Sequence, residues 1–114
     1  MKTQGKAVLG CVLAACLTSI AVAKPVNYEK DLLGKKVCWT TPSAPSTAQV
    51  TETTYSPGRK FYNTYWGNGA CQGSHCVTDK GNFESHVEKM PDGTFKSTTG
   101  INGAVYESTG HYCP

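Results

Sequence analysis

With 114 residues, 17% of them charged, and a formal net charge of +3, the chain has the size of one domain with a limited core. Two of its eleven basic residues, Lys2 and Lys6, precede an apolar run; without them nine face eight acids, and the formal charge falls to +1. That balance gives no basic face for nucleic acid.

The first expected element is a secretory signal peptide over residues 1–23. A basic start leads into Ala7 to Ala23 (AVLGCVLAACLTSIAVA), which ends on small residues and is followed by Lys24-Pro25. The run is short for a membrane span of about 20 apolar residues, and Pro25 stops a continuing helix. Within it, Leu13-Ala14-Ala15-Cys16 resembles a bacterial lipoprotein box. That reading implies lipidation of Cys16 and a membrane anchor. Cleavage there would leave the apolar Leu17 to Ala23 on the product, so cleavage after Ala23 is the preferred expectation, with a periplasmic or secreted protein as its result.

Residues 24–34 read as a lead-in with room for one helical turn. Residues 35–114 read as a single β domain. Here Thr, Tyr, Val and Phe alternate with the turn signals Pro57-Gly58, Asn68-Gly69, Asp92-Gly93 and Asn102-Gly103. The pattern predicts an all-β fold, a small antiparallel β-barrel or sandwich built as a meander of about seven or eight short strands. Strands are expected near 35–40, 49–55, 60–66, 75–78, 82–89, 94–99, 104–108 and 111–113. The segment 41–47, with two prolines, reads as a loop, and the glycines read as turn residues. In Phe83 to Lys89, Phe83, Ser85 and Val87 share one face and Glu84, His86 and Glu88 the wet one. In Lys60 to Trp66 both faces carry rings, so alternation leaves the buried side open.

Four cysteines lie outside the leader: Cys38, Cys71, Cys76 and Cys113. An even count in a small exported domain predicts two disulfides. Of three connectivities, proximity favours Cys71 with Cys76, which leaves Cys38 to join Cys113. The stretch GNGACQGSHC (67–76) also spaces Cys71, His75 and Cys76 as C-x3-H-C. Structural zinc needs four ligands, commonly two short pairs, and redox chemistry favours C-x-x-C; neither pattern is met. A cysteine nucleophile needs a free thiolate, which paired cysteines do not supply. The expectation is a disulfide clip with His75 beside it, and no metal or other cofactor.

Glu84, His86 and Glu88 share a wet strand face that offers no cleft for acid–base work, and no G-x-S-x-G, H-E-x-x-H or phosphate-binding glycine loop occurs. No catalytic residue is assigned, and the protein is expected not to be an enzyme. The candidate partner-binding residues are Tyr55, Arg59, Tyr62, Tyr65 and Trp66, residue types that dominate interfaces and whose rings stack on sugars or bases.

A small exported β domain with Cys38 and Cys113 near its ends resembles, in plan, the periplasmic and lipoprotein inhibitors of c-type lysozyme. Their Ser-Gly-x-x-Tyr motif is missing, since the chain has no Ser-Gly dipeptide, so membership does not follow. The functional expectation is a non-enzymatic binding or inhibitor-type module for a protein, carbohydrate or small-molecule partner. Two alternatives stand beside it. One is a barrel carrying a small apolar ligand, marked by an interior cavity of a few hundred cubic ångströms. The other is a small hydrolase or metal-dependent enzyme using His75, His86 or His111, marked by two histidines converging with a carboxylate.

Overall fold

The computed structural model describes residues 22–43 and 47–114. Most of the expected leader, including Cys16, lies outside the described residues. The elements are β1 (Lys24–Pro25), one wide helical turn (Tyr28–Leu32), β2 (Lys36–Ser43), β3 (Thr47–Ser56), β4 (Lys60–Asn63), β5 (Gly67–Gln72), β6 (His75–Thr78), β7 (Gly81–Lys89), β8 (Phe95–Ile101) and β9 (Ala104–Tyr112).

From β2 to β9 every strand pairs antiparallel with its neighbour in sequence, and β9 returns to β2 with Gly110 opposite Trp39. The eight strands therefore close into an up-and-down barrel, which removes the sheet edges. β1 adds a short extra pairing to the end of β7. Turn chemistry drives the meander. Between β8 and β9, Ile101 faces Ala104 across the two-residue loop Asn102-Gly103, both at positive φ (51° and 82°), as a tight hairpin requires.

One end of the barrel is corked by the helical turn. Leu32 and Tyr28 join Val37, Trp39 and Phe95 in the core, with Val37 and Phe95 fully buried. The Tyr28 hydroxyl donates to the Lys60 carbonyl (2.8 Å), and the Tyr112 hydroxyl donates to the Asp31 carbonyl (2.7 Å). Lys89 Nζ reaches Asp31 Oδ1 at 3.3 Å. The cork is thus tied to three sides of the barrel.

Both disulfides form in the expected connectivity. Cys38–Cys113 spans 75 positions and binds the chain's last residues to β2; Cys71–Cys76 spans five and links directly opposed residues of β5 and β6.

Three strand expectations need correction. Residues 67–72 are a strand, β5, and not part of a loop, so the strand expected over 60–66 stops at Asn63. The two short strands expected near the end are one, running through Gly110. β2 continues through Thr41 to Ser43, pairing Pro42 with Ala48, where a loop was expected. The glycines explain the first two. A Cβ on Gly69 would stand 2.3 Å from Phe61 Cζ, and one on Gly110 would stand 2.6 Å from Trp39 Cε3. These glycines are gaps in the wall that receive a ring from the neighbouring strand, not turn residues.

Candidate functional site

Strand alternation sends one residue in two into the barrel. At the corked end the inward residues are apolar or aromatic: Val37, Tyr55, Phe61, Val87 and Phe95. Further along the bore they become hydroxyls and amides, among them Thr51, Thr53 and Asn63 on β3 and β4 and Ser85, Ser97 and Thr99 on β7 and β8. In an eight-stranded ring these two groups stand on opposite walls. Side chains this short do not fill the bore, and a cavity of about 660 Å³ remains.

The polar walls are internally bonded. Asn63 Nδ2 donates to Thr53 Oγ1 (2.8 Å) and Thr51 Oγ1 (3.2 Å), while its Oδ1 accepts from the backbone N–H groups of Tyr65 (2.8 Å) and Trp66 (2.9 Å). Across the bore, Ser97 Oγ lies 3.2 Å from Thr99 Oγ1 and 3.5 Å from Ser85 Oγ. Thr41 and Ser108 pair their hydroxyls beside them. Aromatic rings complete the lining. Trp66 packs on Phe83 with centroids 4.9 Å apart, and Trp39 closes over Gly110. The lining reaches solvent at two places: beside Gln49 and Tyr106 at the uncorked end, and at a side opening among Pro25, Arg59, Ser74 and His86. Arg59 and His86 are the charged or titratable residues of this lining that lie at the side opening; the hydroxyl walls carry neither charge.

The candidate binding residues are divided among different environments. Tyr55 points inward against Tyr28 and Phe61, and burial pushes its hydroxyl up to about 12. Tyr62 faces outward and is half exposed. Tyr65 and Trp66 sit on the turn after β4, ring against ring at 5.2 Å, with Lys80 Nζ 4.3 Å above the Tyr65 ring. Arg59, at positive φ, lays its guanidinium over the Tyr28 ring and donates to the Gly73 carbonyl at 3.0 Å. So Tyr55, Arg59, Tyr65 and Trp66 line the cavity, whereas Tyr62 does not.

The disulfide clip of GNGACQGSHC has a place in this site. Cys71 and Cys76 line the cavity, and Arg59 is bonded to the turn they close, at the rim of the side opening. His75 Nδ1 meets Glu84 Oε2 at 2.7 Å on the exposed outer wall; that bond, with one from Ser74, holds the Glu84 carboxyl below its usual range. His86 meets Glu88 at 3.7 Å on the same wall, and His111 lies opposite Cys38. The donor atoms of Cys38, Cys113 and Glu52 also lie together, but the two sulfurs are bonded to each other.

The feature that sequence reasoning missed is the hydroxyl lining. Its signal is Ser or Thr at every second position beside a ring, which follows them in Gln49-x-Thr51-x-Thr53-x-Tyr55 and precedes them in Phe95-x-Ser97-x-Thr99. Comparison of the chain with known protein families, curated proteins and solved structures found no match.

Proposed function

We propose that this protein is a non-enzymatic binding module whose barrel encloses one small uncharged ligand. The observation that carries the reading is a cavity of about 660 Å³ that runs through the barrel's bore and opens to solvent. Small-molecule sites commonly span roughly 300–1,000 Å³, mostly apolar with a few placed polar groups. Here the polar groups are preorganised, since Asn63, Ser97 and Thr41 each have a fixed partner before any ligand arrives. A purely apolar ligand, one of the expected alternatives, would bury the hydroxyls' unused lone pairs without a partner, which opposes binding. The reading therefore moves from an apolar ligand to one with hydroxyl or amide groups of its own.

Two disulfides suit an oxidising compartment. With the expected leader removed after Ala23, the module is periplasmic or secreted; lipidation of Cys16 would instead anchor it to a membrane. Tyr62, half exposed on the outer wall, is available to a macromolecular partner and plays no part in holding a small ligand.

Thermal denaturation in the presence of neutral, anionic and fatty compounds tests the proposal, because a ligand bound only by the folded state raises Tm with concentration. Neutral polar compounds are expected to raise it. A protein whose Tm answers to no class of compound would contradict the proposal.

A further inference from the structure

We infer that the ligand is a neutral polyhydroxylated ring, a sugar or a close relative, held edge-on between the two hydroxyl walls with its faces against the aromatic lining. The inference rests on the binding-module reading above and narrows it to one chemical class.

Three features of the cavity support this class. The first is the kind of polar group. A hydroxyl donates once and accepts twice, so a lining of Ser and Thr keeps bonding capacity after its own pairings. Ser97 Oγ, placed between Ser85 and Thr99, is such a group. A polyol offers the same mixture of donors and acceptors around its whole rim. The second is placement. Thr51, Thr53 and Asn63 face Ser85, Ser97 and Thr99 across the bore, so a ring between them is met on both edges. The third is charge. The hydroxyl walls formed by Thr51, Thr53, Asn63, Ser85, Ser97 and Thr99 carry no ionisable side chain, and Arg59 lies apart from them at the side opening, where it donates to Gly73 and stacks on the Tyr28 ring. A charge held between the two walls would lose its hydration without meeting a counter-ion there. The apolar C–H faces of a sugar ring pack on aromatic side chains, and Trp39, Trp66, Phe83 and Tyr106 supply them.

The chain's two tryptophans, Trp39 and Trp66, both line the cavity. Trp66→Phe leaves Trp39, 6% exposed, as the sole tryptophan. The oxidised wild-type protein and W66F are each titrated with neutral mono- and disaccharides, with palmitate, with citrate and with a neutral aromatic amide. The inference predicts saturable change in Trp39 emission with a saccharide. It also predicts about fivefold weaker binding in Thr99→Val, the loss of roughly one hydrogen bond. Palmitate, citrate or the amide acting alone would overturn the sugar assignment; the amide alone would leave the binding-module reading standing. Silence of the wild-type protein toward every compound would overturn both. Saccharide binding that leaves Trp39 emission unchanged would place the site elsewhere and also overturn the inference.

Discussion

Asn63 and Thr53 are joined across β4 and β3 by a 2.8 Å hydrogen bond from Asn63 Nδ2 to Thr53 Oγ1, and both residues are buried. The other end of the same amide holds the backbone of Tyr65 and Trp66. One side chain thereby fixes a polar wall and the turn that carries the cavity's outer rings. Asn63→Ala should destabilise the fold by about 1–3 kcal/mol, because two partly buried backbone donors lose their acceptor and the Thr53 hydroxyl loses its donor. Urea denaturation measures the loss. The variant should also free the Trp66 ring, seen as a red-shifted and more quenchable emission.

The wall glycines give a steric prediction. Gly69→Ala and Gly110→Ala would press a methyl against the Phe61 and Trp39 rings and should each cost about 1–3 kcal/mol or more. Gly100→Ala is the control: its Cβ would meet nothing nearer than 4.0 Å. Equal melting temperatures for all three variants would show that the rings do not sit in these gaps.

Legibility in the sequence followed the same physics. The tight hairpin at Asn102-Gly103, the Cys71–Cys76 disulfide and the split faces of Phe83 to Lys89 could all be read, because each depends on neighbours in the chain, and Cys38–Cys113 followed as the pair left over. β5 could not, because Gly69 looks like a turn residue until Phe61 is known to need the space, and Gly67 until Asp79 is. The hydroxyl lining was hidden by a general rule: alternating Ser and Thr reads as a wet outer face, and only barrel closure through β9 and β2 turns that face inward. Tyr55, Tyr62 and Trp66 looked like one patch in sequence. A strand end at Asn63 and period-two alternation place them inside, outside and on a turn.

Acid should loosen the cork. The Asp31 carboxyl is held below its usual range, first by the Asn27 N–H, which donates to Oδ2 at 2.9 Å, and further by Lys89. A carboxyl lowered in the folded state adds stability above its unfolded value near 3.8, and loses it as pH falls through the folded value. Urea midpoints should therefore drop as pH falls below about 5, and Asp31→Asn should flatten that part of the curve. An unchanged acid limb in D31N would remove Asp31 as its cause.

The two disulfides should differ in strength. Loop-closure entropy assigns about 4–5 kcal/mol to a link spanning 75 positions and about 2 kcal/mol to one spanning five. Replacing Cys38 and Cys113 by Ser should thus lower Tm more than replacing Cys71 and Cys76. The second pair should act on binding as well, because it closes the turn beside the side opening. Faster ligand release in that double variant, measured at a temperature where it is still fully folded, is the expected signature.

The central claim is that the barrel's interior is the binding site. Methyl-resolved NMR of the oxidised protein, recorded with and without a neutral saccharide, tests it most directly. Inward methyls (Thr51, Thr53, Val87, Thr99 and Ile101) should shift, while the outward Val50, Val77 and Val105, each more than half exposed, should stay in place. Shifts confined to the outward set, or none in either set, would contradict it.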